Sequence, residues 1–397
     1  MKIRKWKIII LALGLLFVEA CSCWHSLPEQ LKENATITEL ETYLNALVEC
    51  GNPPGMSLVV VKDGKIIYEK GFGWADEPRG IASTSESVYH WWSLTKIATA
   101  IAVLQLQEQG KLQLEDSVRK HLPYFNVQYP SANSKTVTIQ HLLTHSSGLP
   151  DAGWRIIGWI HHDGEPSVNQ TALIEKVLPD FSTLEFEPGD HTQYSNIGYM
   201  VLGAIIEKVT GQTYEDYIRE RVLKPLSMNH TDFLYTEEME PYEVAGSHPI
   251  FNAMTPLLPV IAGSYIREIS GKHLWMERVY NDQTPPTGLI GSATDAARLV
   301  AAYLNGGELD GHRILSPASI SRMTREGYIK KGNRWQGIGW QIYDDKGQLM
   351  IKHSGGGPGF STEMQLYPEK KLGFVLFTND VTCESWKIIT SVTKVNW

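Results

Sequence analysis

Cysteine is scarce in this chain, with four residues in 397, at positions 21, 23, 50 and 383. None of them forms a Cys-x-x-Cys pair, so the sequence offers neither a thioredoxin-like redox motif nor a zinc ribbon. Basic clusters are missing beyond the N-terminus, and the formal net charge is -8 with a pI near 5.9. That balance argues against nucleic acid, and against an anionic membrane surface, as a general partner. No Gly-x-Ser-x-Gly run occurs, which removes the nucleophile elbow of an α/β-hydrolase. Repeats and low-complexity tracts are also lacking, and 42% hydrophobic residues exclude a disordered chain. The length suits a catalytic unit of two lobes, or two domains.

At the N-terminus, Lys2, Arg4, Lys5 and Lys7 precede an apolar run from Ile8 to Val18 that is too short to span a bilayer comfortably. Residues 1–20 read as an export signal, which puts the working part outside the cytoplasm, in the periplasm or cell envelope. Val18-Glu19-Ala20-Cys21 resembles a bacterial lipoprotein processing site, with Cys21 as the lipidated first residue of the mature chain. Cleavage after Ala20 without lipid and an uncleaved membrane anchor are the alternatives, since Glu19 is atypical there. Residues 21–35 read as a linker and 36–397 as one domain. Cys50 and Cys383 then face an oxidising compartment, either as thiols or, if the two terminal helices pack together, as a disulfide.

Ser93-Leu94-Thr95-Lys96 puts a hydroxyl and an amine one turn apart at the head of an apolar helix. The same spacing at Ser117/Lys120 and Ser391/Lys394 carries no chemistry, so context decides. Ile97, Ala98, Ile101, Ala102, Leu104 and Leu106 make the helix apolar on nearly every face, up to an expected cap at Gly110. A lysine in the first turn of a buried helix loses solvation, its pKa falls, and it becomes able to take a serine proton. The bland alternative is an N-capping serine beside a snorkelling surface lysine.

Around this helix the pattern reads as α+β. A first helix runs from about Thr36 to Cys50, followed by strands Met56 to Val61 and Lys65 to Tyr68 around an Asp63-Gly64 turn. The stretch from Gln113 to about Lys224 reads as helical with loops, and 225–285 fits no single pattern. A helix from Ala293 to Leu304 precedes strands Gly337 to Tyr343, Leu349 to His353, Thr362 to Tyr367 and Gly373 to Thr378, then a last helix from about Glu384. One antiparallel sheet built from both chain ends is expected, with a sheet lobe at about 36–90 and 285–397 and a mainly helical lobe inserted at about 91–284.

Two further motifs follow. Tyr194-Ser195-Asn196, after Pro188-Gly189, sits in a turn at the mouth of a helix, where a phenol can reach a cleft; a tyrosinate there needs a nearby cation, and Lys96 is the candidate. Tyrosine two before asparagine recurs at Tyr43, Tyr124 and Tyr303 without functional meaning. His353-Ser354-Gly355-Gly356-Gly357 follows a strand; its glycines admit a close backbone approach, and an edge strand there can pair with an acyl or peptide substrate. A flexible hairpin loop is its bland alternative.

Ser-x-x-Lys, Tyr-x-Asn, then a polar residue with Ser and Gly on a late strand, in this order, resembles the penicillin-recognising serine enzymes. The chain is similar to the branch containing class C β-lactamases, D-Ala-D-Ala carboxypeptidases and related esterases and aminopeptidases, from about Thr36 to the C-terminus. Thr138 to Leu149 and Gly288 to Asp295 resemble two further segments of that branch. The resemblance implies a β-lactamase/transpeptidase-like fold and a serine hydrolase acting on a small-molecule or peptide acyl substrate, with no cofactor or metal. Ser93 would attack a carbonyl, Lys96 would take its proton, and Tyr194 would relay protons to the leaving group. Asn196, His353, Ser354 and Gly355 would bind substrate, and the backbone N–H groups of Ser93 and Gly356 would form an oxyanion hole.

One departure matters: class C β-lactamases carry lysine where this chain has His353, and histidine there is more typical of the carboxypeptidase, esterase and aminopeptidase members. If His353 acts as a cation, activity on carboxylate-bearing substrates should rise as pH falls toward 6. A true class C-type β-lactamase and a non-catalytic penicillin-binding receptor or assembly module remain the alternatives. His141 and His145, four apart on an expected helix, have the spacing of a zinc pair, with His161-His162-Asp163 as further donors; Leu142 stands where a zinc protease needs Glu, and His145 reads as structural. Trp91, Trp92, Trp154, Trp159 and Trp335 either line an apolar pocket or belong to the core.

Overall fold

The computed structural model describes residues 28–165, 168–250, 263–324, 330–345 and 347–397; the expected export signal, Cys21 and the Trp154 side chain lie outside that set. In chain order the elements that matter here are α1 (Ile37–Glu49), β1 (Gly55–Lys62), β2 (Lys65–Asp76), β3 (Val88–His90), α2 (Thr95–Glu108), α3 (Ile139–Leu143), α4 (Asn196–Thr210), β4 (Ile290–Ser292), α5 (Ala293–Leu304), β5 (Gln341–Asp345), β6 (Gln348–Gly357), β7 (Phe360–Tyr367), β8 (Leu372–Thr378) and α6 (Ser385–Val392).

Local chemistry sets several of these boundaries. Thr36 and Glu39 form a reciprocal capping box that starts α1. Asp63 and Gly64 both take positive φ, 50° and 73°, which is the turn that lets β2 fold straight back on β1. Ser292 caps α5 by accepting the N–H of Asp295.

The α+β expectation holds. An antiparallel sheet runs in the order β5-β6-β7-β8-β1-β2, extended beyond β5 by Arg334–Gln336 and Lys330–Lys331 and beyond β2 by Ile81–Ala82. β1 and β8 pair with Met56 opposite Thr378, so the two ends of the chain meet in the middle of the sheet. Both central strands are buried on both faces, and alternate residues go opposite ways. Leu58, Val60, Phe374 and Leu376 pack under α1 and α6 with Leu40, Leu44, Ile388 and Ile389. Val59, Val61, Val375 and Phe377 face the larger core, which holds α2, α4 and α5. Within it, residues 95–106 of α2 are buried on every side.

Several expectations need correction. The strand drawn from Gly337 begins only at Gln341, because Gly337 to Trp340 is a tight turn closed by the Gly337 N–H to the Trp340 carbonyl at 2.8 Å. The stretch expected to be helical also holds a strand, Ile160–His162, paired with Val279–Asn281. α3 ends at Leu143, and His145 lies beyond it with φ of 54°, so His141 and His145 do not share a helical face as a zinc pair would. Cys50 and Cys383 do not form a disulfide with each other; the first is half-buried and the second buried. Trp91 and Trp92 are core residues, not pocket walls.

Leu376 fills the layer between the sheet and the terminal helices with no exposed surface. Leu376→Ala should destabilise the protein by about 2–5 kcal/mol, measured as a lower urea midpoint.

Candidate active site

Ser93 lies in a single 3₁₀ turn, Trp92–Leu94, immediately before α2, rather than inside the α-helix itself. Trp92 holds a positive φ of 48°, unusual for a bulky residue, and the surroundings over-determine it. The Trp91 N–H donates to the Leu289 carbonyl at 2.9 Å, and the Thr362 hydroxyl of β7 donates to the Trp91 carbonyl at 3.0 Å. Two glycines of β6 permit this approach: a Cβ on Gly355 would lie 2.1 Å from the Trp91 carbonyl oxygen, and one on Gly357 would lie 2.4 Å from the Trp92 ring.

One turn on, Lys96 is fully buried. Its Nζ lies 3.2 Å from Ser93 Oγ and donates to Asn196 Oδ1 at 2.7 Å and to the Pro286 carbonyl at 3.0 Å. Burial lowers its pKa well below the ordinary lysine value, and the charge of Asp151 opposes that shift in part. A neutral amine has two N–H donors and one lone pair. Three acceptors around Nζ would satisfy an ammonium; once desolvation has made the amine neutral, the two carbonyl oxygens hold its two N–H donors and the lone pair is left for the Ser93 hydroxyl proton.

Tyr194 completes the arrangement, its hydroxyl donating to Ser93 Oγ at 2.6 Å with Lys96 Nζ 4.7 Å from the ring centroid. Burial raises its pKa above that of a free phenol, the bond to Ser93 lowers it, and Asp151 raises it further. The resting group is thus a phenol; the tyrosinate considered from the sequence is corrected.

The segment from Thr138 to Leu149, and the Pro150 and Asp151 that follow, act as the seat for this motif. Ser195 caps α4 and donates its hydroxyl to the Pro150 carbonyl at 3.0 Å, and Asn196 N–H donates to Asp151 Oδ1 at 2.8 Å. His145 Nδ1 accepts the Ser195 N–H at 3.2 Å, and its ring lies between Tyr194 and Tyr199, with centroids at 4.5 and 5.0 Å. Accepting at Nδ1 leaves the proton on Nε2, and burial, then the charges of Lys96 and His353, push its pKa well below the usual histidine range. Gly288 to Asp295 is a second seat: Leu289 N–H donates to Thr95 Oγ1 at 3.1 Å, and β4 pairs with β3 just ahead of Ser93.

His353 to Gly357 form the second half of β6 rather than a loop after it. β7 pairs with β6 as far as Gly357, whereas β5 stops opposite Lys352, so residues 353–357 present an unpaired edge beside the Ser93 turn. His353 and Gly355 are buried on one face; Ser354 and Gly356 are exposed on the other, where Ser354 Oγ is directed at Glu363 Oε2, 3.5 Å away. His353 Nδ1 donates to the Ser354 carbonyl at 2.8 Å. Burial and the Lys96 charge lower its pKa to about 3, against a smaller upward pull from the Ser354 carbonyl, so His353 is neutral at working pH.

The structure therefore brings together Ser93, Lys96, Tyr194 and Asn196 through direct contacts, with His353 and Gly355 on the adjoining strand. Asp151, Tyr199 and the Pro286 carbonyl were not singled out in the sequence. Asp151 stands two residues past a segment recognised there but given no role.

A sequence model of the Beta-lactamase family matches residues 40–385. Protein flp of Staphylococcus aureus (strain NCTC 8325 / PS 47) is 28% identical over 348 residues, covering 87% of this chain and 64% of its own length. This chain thus spans under two thirds of that relative. Penicillin-binding protein 4* of Bacillus subtilis (strain 168) is 30% identical over 333 residues, covering 81% of this chain and 67% of its own. The octameric penicillin-binding protein homologue from Pyrococcus abyssi superposes with a TM-score of 0.73 at 29% identity, over 90% of this chain and 77% of that one.

With its pKa near 3, His353 gains no proton as pH falls from 8 to 5. The ratio of kcat/KM for a carboxylate-bearing ester to that for a neutral ester should therefore stay flat over that range, replacing the rise toward pH 6 considered from the sequence.

Proposed function

Because this chain belongs to the β-lactamase family, whose members are generally serine hydrolases, we propose that it cleaves an amide or ester through an acyl-enzyme at Ser93. The observation that carries this reading is the convergence on Ser93 Oγ of a fully buried Lys96 amine at 3.2 Å and the Tyr194 hydroxyl at 2.6 Å. In this reading Lys96 takes the Ser93 proton as Oγ attacks the carbonyl, and Tyr194, a phenol beside Oγ, delivers a proton to the leaving group. Water then attacks the ester formed on Ser93, giving its proton to the Tyr194 oxygen that had lost one, and Lys96 returns the proton it took to Oγ as the acyl–Oγ bond breaks. The N–H groups of Ser93 and Gly356 serve as the oxyanion hole, and the unpaired edge of β6 aligns the substrate.

A neutral His353 supplies no fixed cation for a substrate carboxylate. That favours an esterase or amidase of the carboxypeptidase-related branch over a class C-type β-lactamase, which would depend on a cation at this position. Export through the N-terminal segment, with or without lipid on Cys21, belongs to the same proposal.

Intact-mass measurement after adding benzylpenicillin or an activated ester tests it. An adduct is expected on the wild type with at least one of the two and on Ser93→Ala with neither, and Lys96→Ala should slow acylation about 10²–10⁴-fold. A transient penicillin adduct with released penicilloate would instead mark a β-lactamase. A Ser93→Ala protein that still acylates would overturn the assignment.

A further inference from the structure

Asp151 holds the backbone of Asn196, the residue whose side chain holds Lys96. We infer that Asp151 is a specificity-determining residue, making the site select acyl substrates that are neutral or amine-bearing beside the scissile bond over those carrying a carboxylate; this rests on the acyl-transfer reading above.

Asp151 Oδ1 accepts the N–H of Asn196, whose own side-chain oxygen accepts from Lys96 Nζ at 2.7 Å. The carboxylate is thereby one residue from the reacting amine, and its charge is felt at both Lys96 and Tyr194. The side chains able to offset it are engaged or uncharged. Lys96 is neutral when it acts as base, and His145 and His353 are buried as neutral imidazoles. Lys352, beside His353 in the strand, is paired with Glu363 at 3.3 Å, and Arg155, four residues from Asp151, pairs with Asp180 at 3.5 Å. The N-terminus of α4 offsets part of the Asp151 charge; an incoming carboxylate meets what remains, whereas an ammonium is drawn to it. In a site partly shielded from water, one unit charge is felt across several ångströms.

The test uses the full chain and three matched p-nitrophenyl esters whose rigid ring keeps the charge from attacking its own ester: 4-(aminomethyl)benzoate, 4-methylbenzoate and monoterephthalate. The wild type should give the highest kcat/KM on the cationic ester and the lowest on the anionic one. Asp151→Asn should lower the cation-to-anion ratio on the order of tenfold, and Asp151→Glu, which keeps the charge, should restore most of it. Because the carboxylate raises the pKa of both Lys96 and Tyr194, its removal should also move both limbs of the kcat/KM–pH profile to lower pH, which loss of a purely structural contact would not do. Should Asp151→Asn fail to fold, salt on the wild type serves instead: raising it from about 0.02 to about 0.5 M should shrink the ratio. Turnover with a ratio indifferent to both substitution and salt, or a wild type that prefers the monoterephthalate, overturns the inference alone. No turnover and no Ser93 adduct with any of the three esters overturns the acyl-transfer reading together with it.

Discussion

Removing one lysine amine from water is the constraint on which the rest of the site depends. Lys96 can serve as a base only while dry, and dryness requires walls on every side of α2, from α4, from the Thr284–Thr287 turn and from the end of β6. A buried amine is tolerable only if each of its hydrogens has an acceptor. Asn196 and the Pro286 carbonyl meet that requirement, and they come from parts of the chain 100 and 190 residues away. Thr99, one turn along α2, holds the neighbouring Pro285 carbonyl at 2.6 Å and so fixes the same turn.

The two segments whose role was least evident act as seats for the reacting groups. His145, in a left-handed conformation past the end of α3, supports the Tyr194 ring on one side while its Nδ1 fixes the backbone at Ser195. Leu289 fixes Trp91 and Thr95, on either side of the nucleophile. Together the two segments set the directions from which Tyr194 and Lys96 approach Ser93. Geometry at Ser93 is thus a property of four separate chain segments, and a shift of an ångström in any of them would be felt at the reacting oxygen.

Much of this was legible in the sequence wherever the signal is local. The Asp63-Gly64 turn, the Thr36 cap, the bounds of α5 and the all-round apolarity of α2 are each written in a few neighbouring residues. Strands of three residues carry too little periodicity to be seen, and those in 225–285 find partners far away, as Val279–Asn281 does with Ile160–His162. The helical pattern through Leu143 gives no sign that the chain turns left-handed at His145. Charge states were the least legible of all. A histidine is mostly uncharged at neutral pH, so a neutral His353 was readable; that it stays neutral at lower pH, and that Tyr194 rests as a phenol, follows from burial by residues remote in the chain, and the influence of Asp151 depends on a hydrogen bond to a helix 45 residues on.

The meeting of the two chain ends in mid-sheet has a consequence for how the protein comes to exist. β6, which carries His353 and the glycines that admit the Ser93 turn, is joined to β1 only through β7 and β8. Until Leu372–Thr378 has left the ribosome, β1 lacks its central neighbour and the two halves of the sheet have no shared backbone hydrogen bonds. A chain still under synthesis therefore holds Ser93 and Lys96 one turn apart for most of its length without the β6 strand that completes the site beside them. The complete site is thus a late product of synthesis, assembled only when Leu372–Thr378 has joined the two halves of the sheet.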